Sequence, residues 1–171
     1  MPNASPERLA IEQDHPSRRL DDNALRTVIQ QVLDAEGASL LRLSVVLTGH
    51  DTVRRLNQSY LDHDYNTDVL SFSLRSTSAP FHVGEEAAEG APDERVADGG
   101  KTAVEGEVYV DLDTAAERHE EFGTSFEAEA YRYVIHGVLH LVGHDDATDA
   151  GQAAMRERED RYLSAFAPVS P

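Results

Sequence analysis

The chain reads as an α+β domain, a small mixed β-sheet packed with helices, whose histidine-bearing helix lies in the C-terminal half. Three observations predict it. Leu40–Leu47 (LLRLSVVL) is apolar, rich in β-branched residues and bounded by Gly37 and Gly49, as a strand is. Leu25, Val28, Ile29, Val32 and Leu33 recur with a 3.6-residue period, the signature of an amphipathic helix. Tyr133–Asp146 (YVIHGVLHLVGHDD) is a second apolar run, and it carries His136, His140 and His144, three of the eight histidines, within nine residues.

Taken in order, Met1–Pro6 is a ragged terminus with two prolines opposing regular structure, and Arg8–Gln13 is a short strand. Asp21 or Asp22 caps a helix running to about Glu36, and Gly37 stops it. After the strand Leu40–Leu47, Asp51 caps a short helix, Thr52–Leu61, with Val53, Leu56 and Tyr60 facing inward and Arg54 and Arg55 on or beside its outer face. Thr67–Leu74 (TDVLSFSL) is another strand. From Arg75 to Val104 the composition turns to Gly, Ala, Ser, Pro and acid, so 75–104 reads as a long mobile surface loop. Gly106–Leu112 (GEVYVDL) alternates as a strand, and a helix follows near Thr114–Phe122. Thr124 and Glu127 have capping-box spacing for the histidine helix, Ser125 to Val142, which Gly143 ends. Asp149 caps a last helix to about Phe166, with a charged face at Arg156–Asp160. Short strands and helices mix without strict βαβ alternation, so α+β with a small sheet is the expected class. At 171 residues the expected organisation is one domain, 1–171.

Composition removes several functions. With no cysteine, neither disulfides nor thiolate ligands are available, so a metal must be held by His, Asp or Glu. No apolar run approaches a membrane span and no signal-peptide pattern is present, so the expectation is a cytoplasmic protein without membrane contact. The net charge of −17 argues against a broad nucleic-acid-binding face. It is unevenly spread, at −3 over residues 1–75 and −14 over 76–171, and Lys101 is the one lysine among 15 basic residues.

Chemistry concentrates in the histidine helix. Residues four apart on a helix share a face, with Cβ atoms about 5–6 Å apart. His136 and His140 therefore present two imidazoles to one point, as a zinc ion requires. Two residues compete for a third ligand. His144 continues the spacing of four if the helix runs through Gly143. Asp146 lies three residues after that glycine, in the order His-x3-His-x2-Gly-x2-ligand, which is the spacing of zincin-type sites. Asp146 is preferred, because the glycine turn gives a mechanical reason for the loop to return. The alternative is a pair of core histidines bonded to neighbours, with His144 and Asp145 as turn residues. Gly137 stands where metalloproteases of this spacing carry a general-base Glu. It suits close packing or room for substrate, but it cannot take a proton, and no catalytic base is identifiable.

Three stretches agree with one family, and the sequence resembles the YbeY family of bacterial metal-dependent endoribonucleases. Its histidine signature is matched by His136, Gly137, Leu139, His140, Leu141, Gly143 and Asp145; a second by Leu56, Asn57, Tyr60 and Thr67–Phe72; a third by Gly106–Val108. The matches run from about Leu40 to the C-terminal helix, leaving the first 20 residues and 75–104 with little support. The resemblance implies a zincin-like fold and one zinc ion per chain. It implies cleavage of single-stranded RNA in ribosomal RNA maturation and ribosome quality control. The implied partners are ribosomal RNA and ribosomal proteins, with no DNA. Two positions depart from it. The family's third ligand, usually His, aligns with Asp146, giving His136, His140 and Asp146, with His144 as spare ligand or proton donor. The Arg thought to assist with phosphate is Leu61 here, leaving Arg54 or Arg55 to supply that role. Two other readings remain, a metalloprotease or amidase on the same ligands and a non-catalytic ribosome-assembly factor with a structural metal.

Overall fold

A computed structural model describes residues 8–61, 68–74, 96–97, 101–144 and 148–166. Along the chain run β1 (Leu9–Gln13), α1 (Asp22–Ala35), β2 (Ala38–Thr48), α2 (His50–Leu61), β3 (Val69–Ser73), β4 (Val96–Ala97), β5 (Lys101–Asp111), α3 (Leu112–Arg118), α4 (Phe126–Val142) and α5 (Asp149–Phe166). The sheet has the order β1-β2-β5-β3, with β4 pairing β5 beside it. β1, β2 and β5 are parallel, and β3 runs antiparallel to β5, with Leu70 opposite Tyr109 and Phe72 opposite Glu107. The expected mixed sheet with helices is present. No helix among the described residues is long and apolar enough to cross a membrane.

Strand alternation sends side chains to two faces. One face of β2 and β5, with Leu43, Val45, Leu47, Val108 and Val110, joins the main core formed with α1 and α4. The other face carries Leu70, Phe72 and Tyr109, which α2 covers with Val53 and Leu56. α5 packs on α1 and α4 rather than on the sheet. The predicted apolar stripe of α1 is real: Leu25, Val28, Ile29, Val32 and Leu33 are all buried. Arg54 and Arg55 are exposed on α2, so they belong to the layer opposite α4.

α4 lies unusually close to the sheet, and glycines set the distance. A Cβ on Gly137 would sit 2.6 Å from Val108 Cγ1 and 3.1 Å from both Ser71 Oγ and Val69 Cγ2. Ser71 Oγ donates to the Gly137 carbonyl at 3.0 Å. Gly137 thus serves close packing, and the substrate-room reading of it falls away. Gly106 faces the same layer, where a Cβ would meet the Phe72 carbonyl at 2.5 Å.

Several boundaries differ from expectation. β5 begins at Lys101, so the loop assigned to 75–104 gives up its last four residues to a strand whose partners are Ala38–Leu40. The rest of that stretch lies outside the described residues, apart from β4. α3 starts at Leu112 because the Asp111 carboxylate accepts from the amides of Asp113 and Thr114 directly at the strand's end. The cap of α4 is Ser125, whose side chain accepts from Ala128 N at 3.0 Å, rather than the Thr124–Glu127 box. Thr124 is tied to the preceding turn instead, its amide donating to the His119 carbonyl and its carbonyl accepting from His119 Nδ1.

The carboxyl ends of the three parallel strands are strapped together. Asp113 accepts from His15 Nε2 at 2.8 Å, Arg18 at 2.9 Å and the His50 amide at 3.1 Å. His50 Nδ1 lies 2.6 Å from Asp111, and its Nε2 3.0 Å from Glu117. Burial lowers the His50 pKa, but the bonds to Asp111 and Glu117 outweigh it and the net shift is upward. Burial raises Asp113, but the bonds from His15 and the His50 amide leave it below the usual carboxylate range.

Two outcomes follow. Gly137→Ala lowers stability by about 1–3 kcal/mol in denaturant unfolding, because overpacking outweighs the gain in helix propensity. The strap also sets a pH window for stability. Its Asp113 part is present above the unfolded carboxylate pKa of about 3.9 and is lost as pH falls through the lower folded value. Its His50 part is complete below about pH 6.5 and is lost as pH rises through the raised folded value. In melting curves across pH, Asp113→Asn flattens the acid limb and His50→Gln the neutral-to-alkaline limb. Unchanged limbs in both variants would remove the strap from the account.

Candidate metal centre

His136 and His140 occupy successive turns of α4, and their rings meet edge to face with centroids 4.6 Å apart. The outer nitrogen of each ring is fixed by an acceptor. His136 Nδ1 lies 2.6 Å from Glu159 Oε2 on α5. His140 Nδ1 lies 3.1 Å from the His144 carbonyl. Carboxylates and carbonyls only accept, so Nδ1 carries the proton in both rings and each Nε2 presents a lone pair. Those two Nε2 atoms are 3.1 Å apart. Lone pairs that close repel unless a cation is shared between them, either a proton or a metal ion. For an ion about 2.0–2.1 Å from each nitrogen, this separation subtends an angle of about 100°, near tetrahedral. The residues fit a metal.

The supports for these rings are themselves pinned. Glu159 is 5 % exposed, and its other oxygen accepts from Arg132 at 2.9 Å; Arg132 also reaches Asp160 at 2.7 Å. α4 ends as predicted at Gly143, with φ of 125°, and the Gly143 and His144 amides both return to the Leu139 carbonyl. That turn aims the His144 carbonyl at His140. The His144 ring points elsewhere: its Nε2 meets Glu36 Oε1 at 2.7 Å. Glu36 also accepts from Arg158 at 2.8 Å and from the Tyr162 hydroxyl. Burial raises the Glu36 pKa, but these bonds and the charges of His144 and Arg158 outweigh it and the net shift is downward. The structure therefore joins His136 with His140 and engages the His144 ring with α1. Asp146 lies outside the described residues.

A polar track leads from the histidines along α4. Tyr133, one turn before His136, is 4 % exposed, and Glu129 lies a further turn back, also buried. Burial, then the charges of Asp68 and Glu129, push the Tyr133 phenol far above its ordinary range. Burial also raises Asp68 at the start of β3, against the opposing influence of His136 and Arg118.

A second group can approach a cation. Ligand atoms of His50, Asp111 and Asp113 lie within 4.8 Å of one another. Each already takes part in the strand-end strap described above. Sequence reading missed it because positions 50 and 111–113 meet only when β2 pairs with β5. Glu159 was missed for another reason, since it sits within Arg156–Asp160, read as the charged face of the last helix. The available signal was Met155, Glu159 and Tyr162 at helical spacing, all three buried.

Glu159→Gln keeps the shape of the support but removes its charge. Metal affinity falls roughly 10–100-fold with the fold intact, as read by competitive chelator titration beside a melting curve. An unchanged affinity would mean that Glu159 only packs.

The profile of the family described as Endoribonuclease YbeY matches residues 10–167. A protein from Salinibacter ruber named Endoribonuclease YbeY is 66% identical over 169 residues, covering 99% of this chain and 98% of its own length. One of the same name from Chlorobium luteolum is 38% identical over 146 residues, covering 85% of this chain and 89% of its own. Among solved structures, the solution structure of a Thermotoga maritima protein aligns with a TM-score of 0.58 at 25% identity, over 92% of this chain and 88% of that one. With the histidine pair in place and both sequence comparisons spanning most of its length, this chain belongs to the YbeY endoribonuclease family.

Proposed function

We propose that this chain is an endoribonuclease that cuts single-stranded RNA with a metal held on His136, His140 and Asp146. The observation that carries the reading is the 3.1 Å approach of two Nε2 lone pairs, each fixed in its tautomer from behind. Asp146 is favoured over His144 because the His144 ring is engaged by Glu36. We take the ion to be zinc, the fold to be zincin-like, the compartment to be the cytoplasm and the cellular substrate to be ribosomal RNA. The setting is ribosomal RNA maturation and ribosome quality control, with ribosomal proteins as partners. Two imidazoles and a carboxylate suit zinc, and three protein ligands leave one position open.

Bound there, the ion supplies a Lewis acid for a phosphoryl oxygen and lowers the pKa of a water. The chain's own residues supply orientation. Glu159 and the His144 carbonyl hold the rings so that neither flips and each Nε2 faces the ligand side. Gly137 cannot act as a base, and its place is packed against Val108. The protease reading thereby loses its adjacent carboxylate, and the nearest acid on the same face, Glu129, is buried two turns away.

The test compares metal content and single-stranded RNA cleavage in the wild type, His140→Ala and Asp146→Ala. The expected result is that both variants stay folded, lose the metal and lose cleavage. Retention of metal by Asp146→Ala would transfer the third position to His144. A wild type that holds metal yet never cuts RNA would leave a structural metal in an assembly factor, and cleavage of unstructured protein instead would restore the amidase reading.

A further inference from the structure

An acidic chain that acts on RNA faces an electrostatic problem. Non-specific RNA affinity ordinarily comes from many Lys and Arg contacts with phosphate, and here the net charge is −17. The arginines near the histidine pair are already committed: Arg132 to Glu159 and Asp160, and Arg158 to Glu36. Stacking on base faces does not depend on net charge, and it contributes to single-strand binding regardless of sequence.

Among the described residues Phe122 is the one aromatic side chain with large exposure, at 47%. The Arg118 guanidinium lies over its ring, 4.9 Å from the centroid. Arg118 is itself 44% exposed, and its ion pair with Glu121 is loose, at 3.7 Å between two exposed groups. The backbone of the turn that carries this ring is hydrogen-bonded at each step. The amides of Glu121, Phe122 and Gly123 bond back to the carbonyls of Arg118, His119 and Glu120, Gly123 adopts φ of 68°, and His119 Nδ1 donates to the Thr124 carbonyl. α3 packs on α4, the helix that carries the histidine pair.

We infer that Arg118 and Phe122 form a nucleotide subsite, in which Phe122 stacks on a base of the single strand and Arg118 meets its phosphate. The inference rests on the endoribonuclease reading above and adds where the substrate is gripped. The subsite lies in the turn between α3 and α4, apart from the histidine pair in the C-terminal half of α4. Phe122 supplies the sequence-tolerant part of the affinity. Arg118 supplies a single charge contact, so binding weakens only gently with salt.

The experiment uses the full metal-loaded protein and a single-stranded oligoribonucleotide. Phe122→Ala and Arg118→Ala each raise KM roughly tenfold, while kcat, metal content and melting temperature stay at wild-type values. Phe122→Trp restores KM. An oligonucleotide carrying an abasic nucleotide at the contacted position binds weakly to wild type and is insensitive to Phe122→Ala. An unchanged KM in Phe122→Ala overturns the proposal, as does a fall in kcat without a rise in KM. If wild type proves unable to cut RNA, fluorescence anisotropy with the same oligonucleotide reads the subsite separately. Phe122-dependent binding then upholds it, and Phe122-independent binding or none removes it.

Discussion

The short approach of His136 Nε2 to His140 Nε2 is the constraint on which much of this structure depends. Left alone, two neutral imidazoles would turn a proton towards each other and relax into an ordinary hydrogen bond. Here each ring is held from behind by an acceptor that takes the proton on the far nitrogen, one from α5 and one from the turn after α4. The stable arrangement therefore calls for a shared cation. Helix α5 packs on α4 and α1 through Met155, Tyr162 and Leu163, and Glu159, Asp160, Arg158 and Tyr162 add polar attachments.

The rest of the scaffold fixes where that pair sits. Gly137 and Gly106 let α4 lie against β3 and β5 closely enough for Ser71 to bond the Gly137 carbonyl. That contact sets the depth of the histidine face relative to the sheet. Gly143 then breaks the helix at once, so that a backbone carbonyl rather than another helical turn faces His140. Glycine is used in both ways within seven residues, first for contact and then for a turn. Behind the pair, the buried Glu159 carboxylate joins the His136 ring to Arg132, an acceptor of the kind that orients a metal-binding imidazole.

Much of this was legible from residue order. The period of α1, the β-branched run of β2 and the spacing of His136, His140 and Gly143 each report a local geometry, and local geometry is what a short window encodes. Edges were less legible. Thr124 and Glu127 have capping-box spacing, yet Thr124 is claimed by His119 in the preceding turn, and Ser125 takes the cap. Lys101–Val104 reads as polar and acidic on its left side, but pairing with β2 makes it strand. In both cases a partner outside the window decided between two states of similar local preference.

By itself the sequence determined the two-imidazole face, because an i, i+4 pair on an apolar helix has one geometric outcome. It also determined that any ligand set lacks thiolate, because there is no cysteine. Tertiary structure alone decided what stands behind that face. Glu36, Arg132 and Glu159 come from three helices, and Asp113 gathers His15 and His50 from 98 and 63 residues away. No window contains such pairs. A charge written in the sequence reads as solvated until packing removes the water around it, and only then does its partner become obligatory.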